Sequence, residues 1–266
     1  MGTLKMSALA FVLVFALNFF LCSGQHDDDK IKPQDMQKRE DTINKRPSTD
    51  CALGDSIVRL IGSARPAGMN NLVLADMTKA GVDANRAVCD TKTDGGGWII
   101  IQRRIKGDVS FTRTWNDYKN GFGSNSGDFW IGNDVIYQLT NLGYNELRFD
   151  MKYKGNDFYA VYRGFKIENE AAKYKMSFSS FSGGNVRDEF SQHKGMMFTT
   201  IDSDNDELYN DNCAVSRSGG WWFHNCYRVN VNGEWASRVD LKGIQWSSTT
   251  GWTDSLDIVE MKLRRM

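Results

Sequence analysis

The sequence predicts an α+β fold, in which neighbouring antiparallel strands are accompanied by short helices. The first observation is a pair of adjacent strand patterns at 147–153 and 157–167, joined by the segment KGND, which is typical of a hairpin turn. The second is one clear helical pattern at 133–143. Strand patterns that follow one another directly favour α+β over a doubly wound α/β fold, in which strands and helices alternate.

The first hairpin strand alternates apolar and polar side chains, as expected for a strand with one buried face. Its apolar members are Leu147, Phe149, Met151 and Tyr153. The second strand carries its apolar face on Phe158, Ala160 and Tyr162. An earlier run at 95–105, GGGWIIIQRRI, predicts a further strand that begins after a glycine hinge.

The helix at 133–143 should begin with Asn133 as its N-cap and end at Gly143. Its apolar stripe is Val135, Ile136, Leu139 and Leu142. After about residue 180 the periodicity fades into segments rich in Gly, Ser, Asn and Asp. So long a loop-rich region inside a compact domain indicates a stabiliser, such as a disulfide or a bound ion, together with a binding function.

The sequence predicts three successive segments in the chain. Residues 1–24 predict a secretory signal peptide, because a short apolar run is followed by small residues before a cut at Gln25. A short membrane anchor is the alternative. Residues 25–50 are rich in charge and predict a disordered lead-in without a heptad or a collagen period. Residues 51–266 predict the globular part, as one domain or as two tightly packed subdomains.

The cysteines indicate a secreted, disulfide-bonded protein. Without the leader the chain keeps an even number, which are Cys51, Cys89, Cys213 and Cys226. Proximity in sequence favours the pairs Cys51–Cys89 and Cys213–Cys226. A zinc site is the competing interpretation, but the spacings are not those of paired zinc ligands, and no histidine lies at zinc-finger spacing.

Charge and motifs exclude several classes of function. The formal net charge is zero, which argues against a nucleic-acid partner, and no segment beyond the leader approaches a membrane span, so no membrane insertion is expected. No protease, hydrolase or nucleotide-binding motif is present. The histidines outside the leader, His26, His193 and His224, lack catalytic partners in the sequence, and His193 and His224 are interpreted as a loop residue and a pocket wall. We therefore expect a binding protein and not an enzyme.

An acidic stretch, IDSDNDELYNDNC at 201–213, suggests a cation site. The carboxylates of Asp202, Asp204 and Asp206 alternate and can converge in an irregular loop, where a hard cation such as Ca²⁺ relieves their repulsion. The EF-hand pattern does not fit, and a solvated acidic loop is the alternative. The following loop holds Trp221 and Trp222, for which core packing is favoured over a role in lining a cleft.

Several motifs in the same order resemble fibrinogen-related domains, and among these most closely ficolins, tachylectin-type lectins and invertebrate fibrinogen-related lectins. The strings that carry the resemblance include CDTKTDGGGWIIIQRR, WNDYKNGFG, GDFWIGNDVIYQLT, HKGMMFTTIDSDND, NCAVSRSGGWWFHNC and VNGEW. The resemblance covers about Cys51 to the C-terminus. It implies a small N-terminal subdomain, a central antiparallel sheet with short helices, and a loop-rich subdomain that binds calcium and ligand.

The resemblance also implies a specific calcium site. By position, Asp204 and Asp206 supply side-chain oxygens, and the backbone carbonyls of Leu208 and Asn210 complete the set. This assignment replaces Asp202 as the first ligand. The chain has one extra residue between Asp206 and Cys213 compared with the family pattern, so the two carbonyl positions carry less weight than the two carboxylates.

Beside the second cysteine, the resemblance implies a pocket for acetyl groups. A cis peptide bond at Asn225–Cys226 is expected to direct the N–H groups of both residues at an acetyl oxygen, with His224, Tyr227 and Trp235 as walls. Tyr227 stands where many relatives have histidine. Arg217 stands near the position where fibrin-forming members hold a carboxylate, which disfavours a basic-peptide ligand and suggests an anionic sugar such as sialic acid.

The function expected from these features is a secreted, calcium-dependent lectin that recognises N-acetylated glycans or acetylated surface groups in innate pattern recognition. The alternative is a secreted signalling ligand that binds a cell-surface receptor through the same domain. A clot protein is disfavoured because the basic-peptide carboxylate and a long coiled coil are missing. Shallow sugar sites bind weakly, so a homo-oligomer is expected to supply valency.

Overall fold

The computed structural model describes residues 68–266. The expected signal peptide at 1–24, the lead-in at 25–50 and Cys51 lie outside these residues and stay predictions. Between Gly68 and Met266, no helix is long and apolar enough to cross a membrane.

Twelve strands occur in the described part of the chain, and all strand pairs are antiparallel. They are β1 (Cys89–Asp90), β2 (Trp98–Arg104), β3 (Phe122–Gly123), β4 (Phe129–Trp130), β5 (Glu146–Tyr153), β6 (Asn156–Arg163), β7 (Lys166–Ile167), β8 (Met176–Ser177), β9 (Ser180–Gly184), β10 (Val229–Asn230), β11 (Gln245–Trp246) and β12 (Ile258–Arg264). Eight of them form one sheet, in the order β3-β4-β2-β12-β5-β6-β9 with β1 paired to β2. The α+β prediction with a central antiparallel sheet is confirmed.

The helices are short, as predicted, and all except the first lie between strands. The α-helices are α1 (Gly68–Lys79), α2 (Trp115–Asn120), α3 (Asn133–Asn141), α4 (Cys213–Arg217) and α5 (Ser247–Thr250). Single 3₁₀ turns occur at Ala84–Arg86, Thr93–Gly95, Glu170–Ala172 and Phe190–His193. Between β9 and β10, α4 is the only α-helix of the described chain, so this region is built mainly from loops.

The predicted hairpin is present. β5 and β6 pair from Glu146 with Arg163 to Tyr153 with Asn156, so the turn consists of two residues, Lys154 and Gly155. Their φ angles are 49° and 78°, which is the left-handed pair that a two-residue hairpin with a type I′ turn requires. Glycine adopts this region without steric penalty, and its position in KGND is therefore what fixes the register.

The N-terminus of α3 differs from the prediction. Gly132 precedes the helix with φ 117°, and Asn133 is already its first helical residue. The Asn133 side chain is buried, and its Oδ1 accepts a hydrogen bond from the Trp130 indole at 3.1 Å. The expectation that Asn133 is the N-cap is therefore wrong: Gly132 holds that position, and the Asn133 side chain shares the Trp130 indole with the carbonyl of Tyr118, which lies 3.2 Å from it. At the other end, Leu142 follows the last helical residue and Gly143 takes φ 92°.

A buried lysine joins strands β1, β5 and β12. Lys262 is 3% exposed, and its Nζ lies 2.6 Å from Asp90 Oδ2, 2.8 Å from Asp150 Oδ2 and 3.0 Å from Glu260 Oε2. Burial opposes the charged form of a lysine, but the three carboxylates outweigh it and raise the pKa of Lys262 above its ordinary value. The cluster therefore stays ionised and holds the charged face of the sheet in one arrangement.

Candidate functional site

The acidic loop after β9 is anchored by an asparagine. The Asn205 amide donates to the carbonyl of Phe198 at 2.9 Å and to that of Ser203 at 3.2 Å, and the Asn205 N–H donates to Thr199 Oγ1 at 3.0 Å. Thr200 and Ser203 form an isolated bridge across the turn. These contacts fix the backbone between the two aspartates that the sequence assigned to calcium.

Asp206 is the central acceptor of the loop. Its Oδ1 accepts the N–H of Leu208 at 2.8 Å, and its Oδ2 accepts the N–H of Cys213 at 2.9 Å. Burial raises the pKa of Asp206 above its ordinary value, and the nearby charge of Asp204 adds to this effect. Two carboxylates thus lie close enough to repel each other in a partly buried loop.

The residues present fit a calcium ion. No cluster of three or more Asp, Glu, His or Cys side chains that could hold a metal occurs among residues 68–266. The implied donor set, however, has only two carboxylates, from Asp204 and Asp206, together with the carbonyls of Leu208 and Asn210. All four donors are oxygens, as a hard cation prefers, and a cation would offset the charge of Asp204, which adds to the effect of burial on the Asp206 pKa.

The neighbouring acids have other partners. Asp202 Oδ1 accepts the N–H of Trp115 and the Thr200 hydroxyl, both at 2.7 Å, so this carboxylate ties the loop to the start of α2. Glu207 pairs with His224, with 3.1 Å between Oε2 and Nε2. Asp211 accepts the N–H of Asn212 at 2.8 Å.

A disulfide closes the following loop. Cys213 and Cys226 are bonded, with 5.6 Å between their Cα atoms. Helix α4 begins at Cys213 because the Asn212 side chain accepts the N–H groups of Ala214 and Val215 at 2.8 and 3.2 Å. The second expected pair involves Cys89, which is disulfide-bonded, whereas Cys51 lies outside the described residues.

The aromatic residues of this loop belong to the core. Trp221 and Trp222 are fully buried, and their ring centroids lie 5.1 Å apart. The Trp222 indole donates to the carbonyl of Tyr174 at 2.8 Å. The prediction that both tryptophans serve packing and not ligand contact is confirmed.

The peptide bond Asn225–Cys226 is cis. The turn is bonded to the acidic loop, because Glu207 N–H donates to the carbonyl of His224 at 3.2 Å, and His224 N–H donates to that of Cys226 at 2.7 Å. Among the described residues, no acceptor takes the N–H of Asn225 or that of Cys226. Two backbone donors therefore remain available beside the disulfide.

Asn225 and Cys226 both line a cavity of about 220 Å³, which we call the acetyl pocket. Its lining residues are Leu208, Arg217, Asn225, Cys226, Tyr227, Leu241 and Trp252. Four of these residues are among the ligand-binding residues expected from the sequence, namely Arg217, Asn225, Cys226 and Tyr227. The expected calcium ligand Leu208 lines the same pocket. Because Leu208 belongs to both, the acidic loop forms one wall of the pocket.

Tyr227 is held in a fixed position in this pocket. Its hydroxyl is hydrogen-bonded to Gln245 Oε1, and its ring contacts that of Trp252 with centroids 5.9 Å apart. Burial raises the pKa of Tyr227 well above its ordinary value, although the nearby Arg217 acts in the opposite direction. The phenol is therefore neutral at physiological pH and offers a hydrogen-bonding wall without charge.

Two predicted ligand residues lie elsewhere. His224 does not line the acetyl pocket; its side chain is exposed and pairs with Glu207. Trp235 lines a different cavity, where its indole packs on Gly107. The apolar walls of the acetyl pocket are instead Leu241 and Trp252, which sequence reasoning missed because no motif links them to the disulfide loop.

His193 supports this site from the core. It is fully buried, its Nδ1 donates to the carbonyl of Trp222 at 2.7 Å, and its Nε2 accepts the N–H groups of Val229 and Arg228 at 3.1 and 3.3 Å. Burial lowers the pKa of His193 to about 4. The interpretation of His193 as a loop residue is corrected: it is a neutral scaffold residue that ties the disulfide loop to the start of β10.

A central antiparallel sheet and a loop-rich region, in which an acidic loop is followed by the Cys213–Cys226 disulfide loop, match the fold of fibrinogen-like globes. The chain belongs to the family of the C-terminal globular domain of fibrinogen beta and gamma chains, whose model matches residues 65–266. Tenascin-R of Homo sapiens is 42% identical over 176 residues, which is 66% of this chain and 13% of tenascin-R. Ficolin-3 of Homo sapiens is 41% identical over 180 residues, which is 66% of this chain and 60% of ficolin-3. The chain therefore spans less than two thirds of either relative.

Solved structures give the same assignment. The fibrinogen-like globe domain of human ANGPTL2 is 39% identical with a TM-score of 0.64, over 67% of this chain and 85% of that domain. The lamprey fibrin D-dimer, solved with the peptide ligand Gly-His-Arg-Pro-amide, is 25% identical with a TM-score of 0.63, over 97% of this chain and 84% of that one.

Proposed function

We propose that this domain is a secreted, calcium-dependent lectin that recognises N-acetylated glycans or other acetylated surface groups, in innate pattern recognition and without catalysis. One observation carries the proposal: Asn225 and Cys226, whose N–H groups have no acceptor among the described residues, both line a pocket with aromatic and aliphatic walls. An acetamido group needs such a combination, because its carbonyl oxygen accepts hydrogen bonds and its methyl group is apolar.

Each wall has a role in this proposal. The N–H groups of Asn225 and Cys226 donate to the acetyl oxygen, while Trp252 and Leu241 contact the methyl group. Tyr227 is neutral and its hydroxyl is fixed by Gln245, so it restricts the orientation of the sugar ring. Because these groups are held in place before the ligand binds, little conformational entropy is lost on association.

Calcium would be held by Asp204 and Asp206 and by the carbonyls of Leu208 and Asn210. A bound cation supplies positive charge that offsets the repulsion between the two carboxylates. Leu208 lines the acetyl pocket, so the position of the acidic loop determines the shape of that wall. The proposed calcium dependence is supported by this shared wall and by the hydrogen bonds that Asp206 accepts from the N–H groups of Leu208 and Cys213.

Arg217 directs the specificity toward anionic sugars. It lines the acetyl pocket, and no carboxylate within the described chain forms an ion pair with its guanidinium. A sugar carboxylate, as in sialic acid, would supply the missing partner. Arg217→Ala should reduce binding of sialylated ligands on a glycan array while leaving neutral N-acetylated ligands; an equal effect on both classes, or none, would contradict this role.

The main experiment is retention on N-acetylglucosamine resin in the presence of calcium, followed by elution with EDTA. Trp252→Ala should abolish retention because it removes a pocket wall, and Tyr159→Ala is a matched control because Tyr159 is an exposed aromatic residue of β6 that does not line the pocket. Retention that persists in EDTA, or in the Trp252→Ala variant, would contradict the proposed lectin function.

A secreted signalling ligand is the second candidate. It is favoured by the similarity to the fibrinogen-like globe domains of human ANGPTL2 and ANGPTL6, which are 39% and 36% identical to this chain. Docking to a receptor does not require the acetyl pocket. Saturable binding to cell surfaces that survives both removal of surface glycans and Trp252→Ala would favour this candidate over the lectin.

A further inference from the structure

The tryptophans of the domain differ in what their indole N–H groups contact. Five donate to an oxygen of the described chain, and these are Trp98, Trp115, Trp130, Trp222 and Trp246. Trp221 is buried without a partner. The remaining two, Trp235 and Trp252, have an indole N–H that is neither buried nor bonded within residues 68–266. Each of these two lines a cavity, but the cavities are different.

The cavity at Trp235 has a volume of about 240 Å³, and we call it the Trp235 cleft. It lies between the segment after β2 and the segment after β10, and none of its lining residues belongs to the acetyl pocket. Trp235 packs on Gly107 so closely that a Cβ there would lie 2.3 Å from the indole Cδ1. Gly107 therefore allows the indole to reach this position.

The floor of the cleft is a buried arginine. Arg104 is 1% exposed, its Nε donates to Asp128 Oδ2 at 3.2 Å, and its Nη1 donates to the carbonyl of Gly233 at 2.8 Å. Its Nη2 has no acceptor among the described residues and is not among the buried unpartnered atoms. The cleft thus has a fixed hydrogen-bond donor at its floor.

The rim of the cleft is polar and exposed. Ser110, Thr112 and Glu234 contribute hydroxyl and carboxylate groups to the lining, and all three are exposed. The Glu234 Oε1 accepts the Ser218 hydroxyl at 2.8 Å, whereas its Oε2 has no partner in the described chain. The Glu234 Oε2 at the rim can therefore accept a hydrogen bond from a ligand that carries hydroxyl groups.

From this combination we propose that the Trp235 cleft is a second carbohydrate site, which takes one neutral pyranose. The C–H face of the sugar ring packs on the Trp235 indole, a sugar oxygen accepts from Arg104 Nη2, and a sugar hydroxyl donates to Glu234. The cleft is smaller than the ~300–1,000 Å³ of sites for drug-sized ligands, which limits it to a single ring.

The charges favour a neutral sugar over an anionic one. The positive charge of Arg104 is already paired with Asp128, and Glu234 adds a negative charge at the rim. Two further cations lie near the rim, with Arg113 Nε 3.0 Å from the carbonyl of Ser110 and Lys242 Nζ 3.5 Å from the Ser218 hydroxyl, but neither lines the cleft. The site does not depend on the acetyl pocket or on calcium, and together the two sites give one domain two contacts with a glycan surface, which increases avidity.

Indole N–H resonances in a ¹H–¹⁵N NMR spectrum test the proposal, because the two sites report separately. The probe is methyl β-D-glucopyranoside, which lacks an acetyl group, and the Trp235 signal is identified by its loss in Trp235→Phe. We expect the glucoside to shift the Trp235 signal in a saturable way, both in the wild type and in Trp252→Leu. The corresponding methyl glucuronide, which carries a carboxylate, should shift the same signal less at equal concentration. Trp235→Leu should weaken binding about tenfold in saturation-transfer measurements, because both the stacking contact and the indole donor are lost.

An unchanged Trp235 signal throughout the titration, or equal affinity for the neutral and the anionic sugar, would overturn the proposal. The unmodified protein gives this answer even if Trp235→Leu does not fold. The same sample also tests the acetyl pocket separately. If that pocket does not bind acetylated sugars, N-acetylglucosamine will leave the Trp252 signal unchanged, while the glucoside still shifts the Trp235 signal.

Discussion

Acidification from neutral pH should destabilise the domain through His193, before most carboxylates titrate. An unfolded histidine has a pKa of about 6.5, and burial lowers that of native His193 to about 4. Between these values the unfolded chain binds a proton that the native protein does not, so the free energy of unfolding falls as the pH falls. Above pH ~6.5 both states are neutral at this residue, and the group has no effect.

The size of the effect follows from the two pKa values. A difference of about 2.5 units corresponds to roughly 3 kcal/mol in total, of which about 2 kcal/mol is already lost at pH ~5. A protonated ring cannot accept the N–H groups of Val229 and Arg228, so the charged form also loses the hydrogen bonds that join the disulfide loop to β10. A loss of this size is a large fraction of the 5–15 kcal/mol that is typical of a folded domain.

Urea unfolding of the wild type and of His193→Gln, followed from pH 7.5 to pH 4 with the disulfides intact, measures this linkage. The variant should be less stable at neutral pH, since a glutamine side chain does not reproduce the packing and hydrogen bonds of the imidazole ring. Its free energy of unfolding should, however, fall less steeply between pH 6.5 and 4.5. His224→Gln is the matched control, because His224 is exposed. Parallel stability profiles for the wild type and His193→Gln would refute the assignment of the linkage to His193.

Three further predictions concern packing and charge. Lys262→Ala should lower the free energy of unfolding by about 3–5 kcal/mol, because Asp90 loses its cation while Asp150 and Glu260 keep only Arg148 and Arg103. Lys152→Ala, at an exposed pair, should change it by less than about 1 kcal/mol, and chemical denaturation compares the two variants. Gly220→Ala places a Cβ 2.6 Å from the buried Tyr118 ring, and calorimetry should show a lower melting temperature that corresponds to about 1–3 kcal/mol; an unchanged value would contradict the tight packing. Asp206→Asn should abolish the rise in melting temperature that calcium produces, while Asp211→Asn should keep it; a calcium effect that survives Asp206→Asn would contradict the ligand assignment.

The parts of the fold that depend on local chemistry could be predicted from the sequence. The β5–β6 hairpin is encoded by alternation and by Gly155, whose left-handed conformation is intrinsic to the residue type. The N-terminus of α3 could not be predicted in the same way, because Asn133 is a good cap in isolation. Its side chain instead accepts a hydrogen bond from the Trp130 indole, a contact that forms only when the strand before the helix is packed.

The candidate site also contains residues that could be predicted from the sequence and residues that could not. Motif resemblance placed Arg217, Asn225, Cys226 and Tyr227 in one site, and the structure brings them into one pocket. Resemblance could not identify Trp252, which comes from a segment beyond β11. Nor could it separate Trp235 from that pocket, since both tryptophans follow the disulfide loop in sequence and only packing decides which of them meets it.

The fold class, the family, the Cys213–Cys226 pair and the crowding of carboxylates in the acidic loop could all be inferred from the amino-acid sequence. These features depend on residue type and short spacing, which are properties of the chain before it folds. Three assignments required the folded structure: His193 is a neutral core residue, Trp252 is a wall of the acetyl pocket, and Trp235 belongs to a separate cleft. Burial and long-range contact fix those assignments, because the pKa of a histidine and the partner of an indole depend on what the folded chain packs around them.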